Sequence, residues 1–340
     1  MESGSPGAVA RRPTIADVAR RAGVAVGTAS DALNGKGRVA EGTRARVRQA
    51  ASSLDYRPDA GARGLVTGRA MAIGVRIGRG PVIPEASFFI ELLNGAAARA
   101  AAAGYSIVIS TSELRHAGLV DALIAVDPLG RSEVQDALDA NLPVVTVGRV
   151  PRDELTTPSV DTDHGRSISL LLGHLAGAAR SGPAWLLSLE DRSSFVGDVE
   201  AAFSRWCARV QREARILNVP ERPDAVERAV LAAMAEAGPP AILVSVFDRP
   251  AVWCVQALTR AGVAIPGDAV VGAATDGDVL RIAQPSITAL DLDGAAHGRA
   301  AVDLALQAVI EGEVSTQTIL LPARLVERES SAALAASGSG

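Results

Sequence analysis

The stretch TIADVARRAGVAVGTASDAL, Thr14–Leu33, decides how the chain is organised. Ile15, Val18, Ala19 and Ala22 recur at the spacing of one helical face. Thr14 stands where an N-cap belongs, and Asp17 three residues on completes a capping-box-like start with a charge that suits the helix dipole. Gly23 follows as a left-handed stop. After a short turn the pattern resumes from Val26 to Leu33, and Asn34-Gly35 ends it. A third helix is predicted over 41–54, with Val47, Ala50, Ala51 and Leu54 inward and Arg44, Arg46 and Arg48 largely outside that face. Three such helices enclose a tiny core, adequate for a tethered domain.

Beyond Tyr56-Arg57-Pro58 a short Gly-containing connector leads to a different texture. Buried strands are predicted at 71–77, 105–110, 122–126, 144–147, 184–189, 241–246 and 269–273. They alternate with amphipathic helices predicted at 87–103, 132–140, 165–178, 199–212, 225–237, 250–261 and 294–311. Such alternation builds parallel sheets with helices on both faces. The stretch is too long for one doubly wound sheet, so two α/β lobes are expected. Only 111–119 separate two presumed parallel strands, short of the dozen or so residues a helical crossover needs, so one helix is expected to be missing there.

Composition bounds the function classes. The chain has 340 residues, 48% hydrophobic and 21% charged, which provides a large core and excludes wholesale disorder. Aromatics at 3% argue against a carbohydrate-stacking lectin or an aromatic single-strand platform. Cys207 and Cys254 cannot form a disulfide framework, so a reducing compartment is the default. No stretch of signal-peptide or membrane-spanning length occurs, and a cytoplasmic protein without membrane association is expected.

The net charge of −4 hides an asymmetry: 11–69 holds twelve Lys or Arg against five Asp or Glu, out of 34 and 38 in the whole chain. A basic head on an acidic body points to an anionic polymer as the head's partner. Arrangements for catalysis are lacking. His116, His164, His174 and His297 are scattered; Gly74, Gly78 and Gly80 do not spell a dinucleotide fingerprint; and Asn34-Gly35-Lys36-Gly37 is not a phosphate loop. No enzyme, cofactor or metal is expected.

Two helices joined by a tight glycine turn, followed by a basic third helix, outline a helix-turn-helix. The run Thr14–Leu65 resembles the DNA-binding head and hinge of the LacI/GalR family of bacterial transcription regulators, through T-I-x-D-V-A, A-G-V, T-x-S, L-N-G, V-x-x-x-T-R, L-x-Y-x-P and A-R-x-L. The body resembles the family's periplasmic-binding-protein-like sensor of type I, through I-G-V at Ile73–Val75, V-D-A-L-I at Val120–Ile124, G-V-A-I-P-x-D at Gly262–Asp268, V-V-G at Val270–Gly272 and P-S-I-T at Pro285–Thr288. The resemblance implies a small all-α helix-turn-helix head over 12–57, a hinge over 58–69 and a sensor over 70–330 of two doubly wound parallel-sheet lobes. Lobe 1 is expected at about 70–159 plus 290–315, lobe 2 at about 160–289 plus 316–330, with a flexible tail at 331–340.

It further implies a homodimeric repressor on a pseudo-palindromic duplex operator, gated by a small-molecule effector, a sugar or other metabolite. In the head, Val26, Gly27 and Asp31 would face base edges, and Thr14, Thr28, Ser30, Asn34 and Arg38 would lie at the DNA, with Thr28 and Ser30 bonding phosphates. Tyr56 packs as core or touches the backbone. The family commonly has arginine where Asp31 stands. Asp31 either accepts from cytosine or pairs with a neighbouring arginine and reads nothing. Leu65, beside Ala62 and Arg63, would wedge into a minor-groove step from the hinge.

In the sensor the resemblance and the strand C-terminal ends point to Ile77, Gly78, Phe88, Arg149, Asp161, Phe195, Asp248 and Asp276 as effector contacts. Three departures weaken a sugar effector: Phe247 where the family has asparagine, Gly197 where a clamping arginine is expected, and Ala273-Ala274-Thr275 in place of an aromatic and paired carboxylates. A regulator with a degenerate, effector-independent sensor, or a solute-binding protein, are the alternatives.

Overall fold

The computed structural model describes residues 13–34, 37, 39–56, 69–77, 87–110, 117–150, 156–190, 193–312 and 316–332. The head and the body, which begins at Met71, are separate compact units. In the head, α1 (Ile15–Ala22), α2 (Val26–Asn34) and α3 (Glu41–Ser53) enclose Val18, Ala19, Ala29, Ala32, Val47, Ala50 and Ala51. Five of those seven are alanines, so the helices approach closely and the core stays small. At the start of α1 the Thr14 backbone N–H and hydroxyl both donate to Asp17 Oδ2, at 2.9 and 2.7 Å. These bonds hold the Asp17 carboxyl below its ordinary range. Gly23 adopts φ +66°, a left-handed turn that lets the Val24 N–H reach back to Ala19 O.

The body holds two six-stranded sheets. The first is built from β1 (Ala72–Ile77), β2 (Ser106–Ser110), β3 (Ala122–Val126), β4 (Val144–Val147), β5 (Ser159–Thr162) and β11 (Thr318–Leu321). Its order is β11-β5-β4-β3-β1-β2, parallel throughout. The second is built from β6 (Ala184–Leu189), β7 (Ala214–Val219), β8 (Ile242–Ser245), β9 (Val270–Ala273), β10 (Thr288–Asp291) and β12 (Arg324–Val326). Its order is β12-β10-β9-β8-β6-β7, with only β12 antiparallel. Every residue of β3 and β6 is buried, as expected of parallel strands covered on both faces.

The helices of the body are α4 (Ser87–Ala102), α5 (Gln135–Asp139), α6 (His164–Ala178), α7 (Ser194–Arg209), α8 (Pro223–Ala237), α9 (Asp248–Arg260), α10 (Asp278–Ile282) and α11 (Gly294–Glu311). The chain passes between the sheets three times, after β5, after β10 and after β11. Sheet pairing therefore divides the chain elsewhere than the expected lobe limits near 159 and 315. Residues 160–162 and 318–321 complete the first sheet, because β11 adds in parallel to β5. In the short connector before β3, Ala117–Leu119 form a 3-10 turn, and 111–116 lie outside the described residues.

Two helices of the first lobe touch backbone to backbone. A Cβ placed on Gly298 of α11 would stand 2.1 Å from Leu92 O, one on Gly294 2.4 Å from Phe88 O, and one on Gly95 of α4 2.2 Å from Ala295 O. These positions admit no side chain without separating α4 from α11. Gly298→Ala is expected to cost about 2 kcal/mol or more, as overpacking at a rigid contact does. Gly173→Ala on α6, where a Cβ meets nothing within 4 Å, serves as control. Denaturant midpoints should fall for the first and stay level or rise slightly for the second. Equal midpoints for the two variants would contradict the seam.

Candidate nucleic-acid interface and interlobe cleft

Helix α2 is fixed by one face and open on the other. Ala29 and Ala32 are buried, Leu33 packs on the head core, and Val26, Gly27 and Asp31 are exposed. At roughly 100° per residue, Val26, Gly27, Ser30, Asp31 and Asn34 share one arc, with Thr28 on its flank. Thr28 and Ser30 are half-buried, whereas the side chain of Asn34, and Arg38, Ala62, Arg63 and Leu65, lie outside the described residues. Thr14 is engaged as the cap of α1. Tyr56 packs against the head core.

Asp31 forms no ion pair among the described residues; its carboxylate lies against Gly37, where a Cβ would stand 3.0 Å from Oδ2. Arg44 is spent on structure. Its guanidinium donates to Val39 O and Gly37 O, both at 3.1 Å, and so holds the turn between α2 and α3. Arg46 and Arg48 remain exposed.

In the body, a cleft with a cavity volume of about 60 Å³ lies where strand ends of the two sheets face each other. The first lobe contributes Phe88 and Phe89 from α4, Asp127 after β3, Gly148 after β4, Asp161 and Thr162 from β5, and His297 from α11. The second contributes His164 at the start of α6, Phe195 from α7, Phe247 after β8, and Thr275 and Asp276 after β9. Four of the chain's five phenylalanines thus line one site. Their rings stack edge-on: Phe88 on His297 at 5.3 Å and His164 on Phe195 at 5.2 Å, with Phe195 on Phe247 at 5.5 Å in a tilted contact.

The polar groups of the cleft are mostly engaged within the protein. His297 Nδ1 lies 3.0 Å from Asp293 O and can only donate to it. This leaves Nε2 to accept from the Thr162 hydroxyl at 3.1 Å. Asp161 holds His164 Nε2 at 3.1 Å, and Asp276 receives Arg328 at 2.7 Å. Arg149, of the first lobe, reaches Asp198 of α7 at 2.5 Å and Asp161 at 3.7 Å, while its backbone N–H donates to Ser194 Oγ at 3.0 Å. Asp161, His164 and Asp198 present ligand atoms close enough for a metal ion, yet the Arg149 guanidinium already sits on both carboxylates. An adjoining polar recess holds Arg281, Arg324 and Arg328, paired with Asp278, Asp291 and Asp276.

Of the residues expected from sequence, Phe88, Asp161, Phe195 and Asp276 meet in this cleft, with Arg149 at its edge. Ile77 does not line it; its side chain is 1% exposed in the core of the first lobe. Asp248 does not line it either. Its carboxylate accepts from the Arg249 N–H and is wedged against Gly277, and burial pushes its proton affinity up. Gly78 lies outside the described residues. Sequence reasoning missed Asp127, Gly148, His164, Phe247, Thr275 and His297 as a set. In the sequence, Phe247 and Thr275 stand out only as departures at family positions, where an asparagine and paired carboxylates are expected.

Among known proteins, residues 14–59 match the family model of bacterial regulatory proteins, lacI family, and residues 184–331 match a periplasmic binding protein-like domain. The chain is 25% identical to the HTH-type transcriptional regulator pepR1 of Lactobacillus delbrueckii subsp. lactis, covering 93% of this chain and 97% of that one. It is 26% identical to catabolite control protein A of Staphylococcus xylosus, over 93% and 98%. Its fold matches the Lac repressor dimer bound to operator and the anti-inducer ONPF with a TM-score of 0.78 at 23% identity, over 94% and 99%. It also matches a CelR–cellobiose complex at 0.66 and 20%, over 94% and 100%. Among the described residues no helix is long and apolar enough to cross a membrane.

Burial pulls the His297 imidazole below its ordinary value of 6.5, against the opposing pull of Asp293 and Asp161; His164 adds to the lowering. The fold therefore prefers neutral His297, and the unfolded chain binds the proton more readily. The stability this supplies is present above about pH 6.5 and is lost as pH falls through the lower folded value. Unfolding free energy measured at pH 7.5 and 5.5 should drop less for His297→Gln than for the wild type. An equal drop would remove His297 from the account.

Proposed function

We propose that the chain is a DNA-binding transcription regulator of the LacI family and that it represses by holding an operator under the control of a small molecule bound between its sensor lobes. Residues 12–57 read DNA, 58–69 link, and 70–330 sense. The exposed arc of α2 carries this reading: Val26, Gly27 and Asp31 face outward from a helix whose other face is locked by Ala29 and Ala32. A helix presented in this way fits a major groove. The Lac repressor structure is a dimer on its operator; by the same symmetry two copies of this head read the halves of a pseudo-palindrome. Such a protein works in the cytoplasm, where the DNA is.

The cleft supplies the control. Its walls come from both lobes, so a ligand there favours one lobe arrangement over another, a coupling typically of about 1–3 kcal/mol. Arg46 and Arg48 supply salt-dependent phosphate contacts. Asp31, exposed and with no arginine partner among the described residues, accepts from a base edge.

Selection from a random duplex pool at fixed salt tests the head. A two-fold symmetric site is expected, and Asp31→Arg should change the preferred base at one position of each half-site by about tenfold or more. Enrichment of no site above bulk DNA overturns the assignment, and an unchanged preference in Asp31→Arg removes that residue from the reading set.

A further inference from the structure

The chemistry of the cleft is unlike that of a site for a polyhydroxylated ligand. Phe88, Phe89, Phe195 and Phe247 line it together with Val126, Val147 and Leu292. Both nitrogens of His297 are used inside the protein, and the Asp161–His164 and Asp276–Arg328 pairs are closed on themselves. A saccharide entering here would surrender the hydration of many hydroxyls with few partners in return.

The charges lining the cleft have one sign. Asp127, Asp161 and Asp276 line it, and none of its described lining residues is lysine or arginine. The guanidiniums nearby approach these carboxylates from outside the lining set, and Arg149 is shared between Asp161 and Asp198. An anionic ligand would meet carboxylates whose neighbouring guanidiniums, Arg149 and Arg328, are already engaged by Asp161 and Asp276. A cation would meet carboxylates and the electron-rich faces of phenyl rings, the pairing used by aromatic cages for ammonium groups.

A further polar atom supports the same orientation. Thr275 is 8% exposed, and its hydroxyl oxygen has no hydrogen-bond partner among the described residues. It lines the cleft beside Asp276. A buried hydroxyl left without a partner costs stability, and an N–H donor arriving from a ligand removes that cost.

We infer that the interlobe cleft takes a compact organic cation, a primary amine carried on a ring, with the ring against Phe88, Phe195 and Phe247 and the ammonium directed to the Thr275 hydroxyl and the neighbouring carboxylates. This rests on the reading of the cleft as the effector site and names the class of effector. Phenyl surface selects the ring, the carboxylates select the charge, and Thr275 fixes the direction of the ammonium.

Calorimetry at pH 7.5 on the full chain tests it with benzylamine, phenethylamine and cyclohexylamine as cations, 2-phenylethanol as the neutral isostere, phenylacetate as the anion, and glucose and cellobiose as sugars. At least one amine should bind about tenfold or more tighter than 2-phenylethanol, with phenylacetate and both sugars weaker still. Thr275→Val and Phe195→Leu should each weaken that amine several-fold, with the unfolding midpoint without ligand level or slightly raised for Thr275→Val, whose hydroxyl has no partner among the described residues, and lowered for Phe195→Leu, which gives up ring contacts with His164 and Phe247. Absence of binding by all three amines, equal binding by phenylacetate or a sugar, or unchanged amine affinity in both variants overturns the proposal. Operator affinity measured in parallel separates the two claims. A sugar that shifts it while amines do not defeats the ligand class and leaves gating intact, whereas amine binding that leaves operator affinity unmoved defeats the gating.

Discussion

The geometry of the sensor depends on a contact that only the absence of side chains permits. Gly95, Gly294 and Gly298 let α4 and α11 meet at main-chain distance, so the two helices behave as one plank along the first lobe. Phe88 sits in the first turn of α4 and His297 in the first turns of α11, and the seam sets their rings 5.3 Å apart. Phe88 also packs against the cores of both lobes. A shift along the seam would therefore move a cleft wall and an interlobe contact together. Packed interiors resist gradual deformation, so such a seam passes displacement on instead of absorbing it.

The polar contacts across the cleft carry less weight. Arg149 joins Asp198 of the other lobe, but its side chain is 46% exposed, and ion pairs in that setting contribute about 0–1 kcal/mol. Opening the lobes would break that pair and still leave Arg149 beside Asp161 on its own lobe. The guanidinium thus has a carboxylate in either arrangement. Phe88 instead packs its ring against the apolar core of the second lobe, so apolar contact also spans the cleft, and a ligand that adds to it would favour closure.

The parts of the fold legible in the sequence are those where burial is two-sided. The apolar runs of β3 and β6 and the helical face from Ile15 to Ala22 stand out because their periodicity is undiluted. The strands missed are short, polar or at an edge. β5 reads Ser-Val-Asp-Thr and is buried only because β11 covers it, and β7 alternates exposed and covered residues at the rim of its sheet. The cleft was half legible for the same kind of reason. Strand ends and the family resemblance pointed to Phe88, Asp161, Phe195 and Asp276, whereas His164 and His297, far apart in sequence, looked like scattered histidines. Two passages of the chain between the lobes, after β5 and after β10, bring them to one site, and nothing local in the sequence encodes that.

The head and the body differ in what they offer a ligand. On the outward arc of α2, Gly27 offers a base no side chain, Val26 offers a small apolar surface and Asp31 can only accept. Arg44 is tied to the carbonyls of Gly37 and Val39, whereas Arg46 and Arg48 stay exposed. A carboxylate that faces DNA is repelled by phosphate and is tolerated only where a base donor compensates it. If α2 enters the groove as proposed, few direct readers and one penalised contact would leave the head to discriminate through groove shape and through the cost of mismatching Asp31.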